Sequence, residues 1–452
     1  MKVCLTPLAL ALLLWGQAAA AANLAQIYRE AQDNDPQFAS AKATLDAHRE
    51  AEAQGLSALL PNVSLGARAG HNNVDMTIHD PSATKDYSYN NHGYTLSLTQ
   101  PLFRWQSKVQ YDQAKLQVAQ AEAQFLQAKQ DLILRTAQAY FDVLYAQENL
   151  RAVLAQKAAI GQQLALAKKS FEVGTVTITD THEAQARYDL AQAQEIAARN
   201  DLEIRERTLQ AIIGKEGGDL ARLRNGIALS GPKPALMNDW VNAAESGNIG
   251  VQVQQIGSDI ASREVEKQRA GHYPTVDLVA SRNLNSQGRS YTGAAIPGYT
   301  VMPIPSLDQT TTTLGVQVNI PLYQGGYVVS KQREAAANYQ ASLSGLENAR
   351  RQAALGARQY FLGVTNGLAQ VKALEAANVS SKSALDSNKL GYEVGVRINI
   401  DVLNAEQQVY TTRRDLAKAR FDTLMAQLRL KAAVGTLGDE DVQQVNALLD
   451  SH

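Results

Sequence analysis

Polar and apolar residues follow two rhythms along this chain, and the rhythms take turns. In PNVSLGARAG (Pro61–Gly70), Val63, Leu65, Ala67 and Ala69 alternate with small or charged residues. In GYTLSLTQPLF (Gly93–Phe103), Tyr94, Leu96 and Leu98 alternate with Thr95, Ser97 and Thr99. A two-residue period predicts strands. The same period returns in YPTVDLVAS (Tyr273–Ser281) and TTLGVQVNI (Thr312–Ile320). Four strands of about nine residues are expected, the length a tilted strand needs to cross a bilayer. Polar tracts, His71–His92 and Arg282–Thr311, join the strands of each pair. Tyr87, Tyr89, Tyr94, Phe103, Trp105, Tyr273, Tyr323 and Tyr327 fall near the strand ends, where the aromatic girdles of membrane barrels sit.

The other rhythm is helical. No proline occurs between Pro101 and Pro232, and none after Pro321. Both tracts are rich in Ala, Gln, Leu, Glu, Lys and Arg, all good helix formers. Apolar side chains recur at helical spacing, as at Leu134, Ala137, Phe141, Leu144 and Tyr145. Long helices are expected over Arg104–Val173 and Gln324–Gly391, the first about 105 Å long at 1.5 Å per residue. Shorter ones are expected over Leu24–Gln54, Asp180–Ile213, Trp240–Gln268 and Asp401–Val434. Helices of such length call for coiled-coil packing, and the many alanines allow close approach.

The alternation occurs twice. TQPLF (Thr99–Phe103) answers NIPLY (Asn319–Tyr323), AYFDVL (Ala139–Leu144) answers QYFLGV (Gln359–Val364), and FEVGTVTITD (Phe171–Asp180) answers YEVGVRINID (Tyr392–Asp401). Two structural repeats are expected, 23–228 and 240–437, with a linker at 229–239 and a C-terminal tail at 438–452. Gly174 and Gly395 suit the left-handed position that ends a helix. Asp180 and Asp401 suit the N-cap of the next helix, and Glu183 stands at capping-box spacing from Asp180. The repeated phrase is therefore read as a turn between a long helix and a shorter one.

Four strands cannot close a membrane barrel, and an open sheet edge in lipid leaves backbone groups unpaired at prohibitive cost. Several chains must then contribute to one barrel, with the two polar tracts facing the cell exterior. The start of the chain agrees with export. Lys2, the apolar run Val3–Trp15 and the Ala18–Ala22 stretch compose a secretory signal peptide, assigned to 1–22. Cys4, the single cysteine, lies inside it. A formal net charge of −1 gives no electrostatic case for nucleic acid.

The order of signal, helix, strand, loop, strand, long helix, turn and helix, then the whole again, resembles the TolC family of outer-membrane channels. FEVGTVTITDTHEAQARYD (Phe171–Asp189) and YEVGVRINIDVLNAEQQVY (Tyr392–Tyr410) carry the resemblance most specifically. It implies a mixed α/β membrane protein: a homotrimer whose twelve-stranded outer-membrane barrel, four strands per chain, sits in outer-membrane lipid. The barrel would continue into a long periplasmic α-helical coiled-coil barrel. It also implies an exit duct for type I protein secretion and/or small-molecule efflux. The partners would be a periplasmic adaptor (membrane fusion) protein and an inner-membrane ABC or proton-driven transporter. No cofactor is implied. The family's gate residues fall on Thr179, Asp180, Tyr392 and Arg397, and its ring-forming aspartate on Asp401. A second family aspartate falls on Asn404, so a second carboxylate ring is absent. Asp401 remains readable as a selectivity element, a plain N-cap, or both.

Other readings are weaker. His71, His79 and His92 fit no metal-ligand spacing. HEAQAR (His182–Arg187) lacks the second histidine of a zincin motif. No nucleophile elbow, phosphate loop or paired-carboxylate cleft is evident, so no enzyme is expected. The alternative is a non-channel periplasmic coiled-coil structural protein, against which the alternating strands and aromatic positions count.

Overall fold

A computed structural model describes residues 21–79, 82–224, 226–289, 291–292 and 305–450. The signal-peptide reading falls outside these residues except at Ala21 and Ala22. The backbone of Ala22 bridges Asp219 and Ala221, donating to Asp219 O at 2.7 Å and accepting from Ala221 at 3.0 Å.

The elements follow the expected order: α1 (Leu24–Asn34), α2 (Pro36–Ser57), β1 (Asn62–His79), β2 (Ser82–Phe103), α3 (Trp105–Glu172), α4 (Ile178–Ile213), α5 (Met237–Gly247), α6 (Ile249–Arg269), β3 (Thr275–Gln287), β4 (Tyr291–Thr292), β5 (Leu307–Asn319), α7 (Tyr327–Glu393), α8 (Asn399–Ala433) and α9 (Asp439–Asn446). Two expectations need correction here. Leu24–Gln54 and Trp240–Gln268 are not single helices but broken pairs. At the first break Pro36 has no N–H to continue the helical ladder, and Asp35 caps α2 by accepting from Phe38 N at 2.7 Å. At the second, Asn248 accepts from Val251 N and donates to Ala433 O.

The compact units are two. One combines Met1–Leu45, Glu122–Gln254 and Leu346–His452. Its main core packs Leu24 and Ile27 of α1 against Leu132, Tyr140 and Phe141 of α3, Ile213 of α4, and Leu424 and Leu428 of α8. The buried Tyr140 hydroxyl donates to Ala221 O at 2.7 Å. The expected tail holds α9, whose Val442 and Val445 enter the same core. A second core joins Trp240 and Ala244 of α5 to Ala357, Phe361 and Val364 of α7.

The other unit combines Asp46–Ala121 and Gln255–Gly345. It holds an antiparallel sheet in the order β1-β2-β3-β5, with the short β4 paired to β2. Strand length is the second correction: β1 has 18 residues and β2 has 22. The tract 71–92 is therefore mostly a hairpin that prolongs both strands rather than a loop. Its polar residues pair across the ladder, as His71 Nδ1 does with Asn90 Oδ1 at 2.7 Å. Much of the tract 282–311 lies outside the described residues.

The register explains the alternation. Val63, Leu98, Ala280 and Leu314 stand in one row across the sheet, and Ala67, Tyr94, Leu284 and Thr310 in another on the same face. The opposite face carries Ser64, Ser97, Ser281 and Thr313, then Gly66, Thr95, Asn283 and Thr311. One face is apolar and the other polar, as a membrane barrel wall requires. Where β2 ends, Arg104 grips Asp277 of β3 through two hydrogen bonds of 2.8 and 2.6 Å. No helix among the described residues is long and apolar enough to cross a membrane.

Candidate functional site: the two helix hairpins

The repeated phrase forms the same turn twice. At the end of α3, Gly174 takes φ +80°, and at the end of α7 Gly395 takes φ +79°. An L side chain at either place is strained, so glycine ends both helices. The closing hydrogen bonds match one for one. Gly174 N donates to Phe171 O and Thr175 N to Ser170 O; Gly395 N donates to Tyr392 O and Val396 N to Gly391 O. Each second bond spans six residues, the signature of the Schellman motif.

The next helices start differently. In the first hairpin the N-cap is Thr177, not Asp180 as the sequence suggested. Asp180 sits three residues on and completes the capping box: Asp180 N donates to Thr177 Oγ1, while Thr177 N and Oγ1 donate to Asp180 Oδ2 at 3.0 and 2.9 Å. In the second hairpin the equivalent N-cap is Ile398, which has no side-chain oxygen to offer. Asp401 is thus not the N-cap either. Its carboxylate pairs instead with Arg397, at 3.6 Å. Gly391 makes room for that arginine, since a Cβ there would come within 2.7 Å of Arg397 Cγ.

Asp180, Tyr392 and Arg397 line one groove between the two hairpins, together with Gln163, Thr177, Lys389 and Asn399. Thr179 is exposed on the first turn of α4, and Thr179, Asp401 and Asn404 are not among the groove's lining residues. Burial, and then the nearby Asp180 charge, push the Tyr392 hydroxyl above its ordinary pKa. It therefore stays protonated and able to donate. Asn399 is 3% exposed, and neither atom of its amide has a hydrogen-bond partner among the described residues. Buried polar groups are normally paired, so this amide marks an unfinished contact.

Two polar links escaped the sequence reading. Arg187 of α4 reaches across to α8, donating to Asn404 Oδ1 at 3.0 Å and to Gln407 Oε1 at 2.8 Å. Near the turns this arginine joins the hairpins by direct hydrogen bonds, as Arg429 of α8 does further along the helices by donating to Gln138 Oε1 of α3 at 2.8 Å. Its spacing from Asp180, seven residues along one helix face, was the available signal. The other link is Lys389 Nζ to Glu406, 3.0 Å apart, with the glutamate side chain only 2% exposed. The second carboxylate oxygen of Glu406 has no hydrogen-bond partner among the described residues.

A strand wall with one apolar and one polar face, and a helix hairpin built twice, are the two parts of this chain that known proteins can match. The chain belongs to the outer membrane efflux protein family, whose sequence profile matches residues 27–215 and 240–436. It is 34% identical to the outer membrane protein TolC of Vibrio cholerae, over 94% of each chain. It is 32% identical to the proteases secretion protein PrtF of Dickeya chrysanthemi, over 98% of this chain and 95% of that one. Among solved structures, the Campylobacter jejuni CmeC outer membrane channel superposes with a TM-score of 0.75 at 16% identity, covering 95% of this chain and 90% of that one. The Vibrio cholerae outer membrane protein VceC gives 0.73 at 20% identity, covering 91% and 96%.

Proposed function

We propose that three copies of this chain close one channel, gated by the second helix hairpin. The chain is an outer-membrane channel protein of the efflux and type I secretion class, and its relatives and fold are those of transport channels rather than enzymes. The observation that carries the trimer is the sheet. Among the described residues its order leaves β1 and β5 as edges, each paired on one side only. In lipid those edges must be satisfied by neighbouring chains. Three copies give a closed wall of twelve strands, with the apolar face against outer-membrane lipid and the polar face lining the pore.

The helices then extend from the barrel into the periplasm, where a periplasmic adaptor and an inner-membrane ABC or proton-driven transporter deliver cargo. PrtF is a proteases secretion protein, which favours a protein cargo for at least one use of the duct. Asp180, Tyr392 and Arg397 form the resting closure, with Thr179 beside them and Asp401 contributing one acidic ring at the tip. The repeats 23–228 and 240–437, joined by 229–239, are the two structural halves of each protomer.

The detergent-solubilised particle tests the assembly. A mass of three folded chains is expected, and a monodisperse single-chain particle contradicts it. Tags inserted in residues 71–92 are expected to bind antibody on intact cells. Binding only after the outer membrane is permeabilised would reverse the topology.

A further inference from the structure

Arg68 sits on the polar face of the sheet, in the row Arg68, Gly93, Asn285 and Gln309. Together with the two polar rows described above, this makes twelve positions, and Arg68 holds their one formal charge. Asp277, further along the same face, is already paired with Arg104. Arg282, the other arginine of these strands, lies on the apolar face.

What sets Arg68 apart is how it is held. Its neighbour on β2 is Gly93, and a Cβ there would stand 3.3 Å from Arg68 Nε, 3.3 Å from Asn285 Oδ1 and 2.8 Å from Leu284 O. The missing side chain leaves a path over β2. Arg68 follows it, and its Nη2 donates to Asn285 Oδ1 of β3 at 3.0 Å. The side chain therefore lies across the wall, rooted in β1 and held on β3 by one hydrogen bond. A guanidinium keeps its charge at any physiological pH, and its planar fork loses little freedom when bonded.

We propose that Arg68 is a charge-selecting residue of the barrel pore, a cationic ring that favours anionic solutes and retards cations. The proposal rests on the trimeric-barrel reading, in which the polar face lines the lumen and three-fold symmetry repeats each arginine at one level. Rings of fixed charge select permeant ions in this way. The sign is opposite to that of the Asp401 ring assigned to the tip. Small molecules and unfolded segments bearing carboxylates or phosphates are the solutes it would help through the barrel.

The test is the zero-current potential of the purified trimer in planar bilayers under a tenfold KCl gradient. Arg68→Gln is expected to raise the cation-to-anion permeability ratio about two-fold when the salt is near 0.1 M, where the Debye length is about 10 Å, and to have far less effect near 1 M. Arg68→Glu is expected to raise the ratio further, and Asn285→Ala to raise it less than Arg68→Gln, because the charge remains but is no longer pinned. Both Arg68 variants keep the strand and are first checked for an intact trimer. An unchanged ratio in Arg68→Gln and Arg68→Glu trimers that conduct normally overturns the proposal. Wild-type protein that forms no channel at all would instead remove the reading on which it rests.

Discussion

The two hairpins are copies of one design that have parted at a few positions. Their turns share the glycine, its left-handed backbone and the same closing hydrogen bonds. Thr177 in the first corresponds to Ile398 in the second, and Ile178 to the buried Asn399. Lys168 donates to the neutral Gln185 at 3.2 Å, whereas the equivalent Lys389 pairs with the buried carboxylate of Glu406. The first hairpin's second helix starts on a satisfied capping box, although Gln163 Oε1 and Thr181 Oγ1 are buried in that hairpin without a hydrogen-bond partner among the described residues. The second hairpin lacks a side-chain cap, holds Asp401 by one long ion pair, and buries an amide and a carboxylate oxygen without partners among the described residues. The difference teaches that duplication supplied a scaffold, and that a few substitutions removed the side-chain cap from one copy and placed a buried amide and a buried carboxylate in it. A segment with unsatisfied buried groups has a reason to exist in more than one arrangement.

This contrast can be broken by experiment, most strongly at the buried ion pair. Lys389→Met strands the Glu406 charge. Because Lys389 is itself 44% exposed, the cost falls at the low end of the range for a broken buried pair, about 3 kcal/mol. Hydrogen exchange at the α7–α8 end should accelerate about a hundred-fold, against little change for Lys168→Met in the first hairpin, where the partner is neutral. Equal effects in the two hairpins would erase the distinction.

The caps come next. Thr177→Val removes the capping box and should cost about 1–2 kcal/mol, read as faster exchange in the first turn of α4. The reverse change, Ile398→Thr, gives Asp401 a capping partner and should stabilise the start of α8 by about 1 kcal/mol. It should also make channel opening rarer. An Ile398→Thr channel that opens more often than wild type would show that the missing cap is not what loosens this hairpin.

The smallest expected effect is the pH response of Tyr392, whose counterpart is Phe171. Its folded pKa is raised, by burial first and by Asp180 second. The stability it lends is fully present below its unfolded pKa of about 10 and is lost as pH rises through the higher folded value. Opening should therefore increase above about pH 10, and Tyr392→Phe should flatten that rise. A rise of the same size in Tyr392→Phe would assign the titration to another group.

Much of this was legible in the sequence. Gly174 and Gly395 marked the turns because few residues tolerate that backbone. The long helices were bounded to within a few residues by the glycines and by the last proline before each tract. The strand faces followed from strict alternation. The cap was misread because Asp180 suits both the N-cap and the third position, and only the backbone decides between them. The strands ran beyond expectation because hairpin residues outside the apolar band carry no apolar alternation to count. Arg187 and Asn404 lie 217 residues apart in the chain. Periodicity shows which face a residue occupies but not which distant residue it will meet.

Single-channel conductance in planar bilayers tests the central claim, that the second hairpin is the moving part of the gate and closes against Asp180 of the first. Two variants are compared, the double variant Tyr392→Phe with Arg397→Ser in the second hairpin and Lys168→Met in the first, each checked for an intact trimer. The account predicts a clear rise in conductance for the second-hairpin variant and a value near wild type for the other. Equal conductance in both variants, or no rise in the second-hairpin variant, would contradict it.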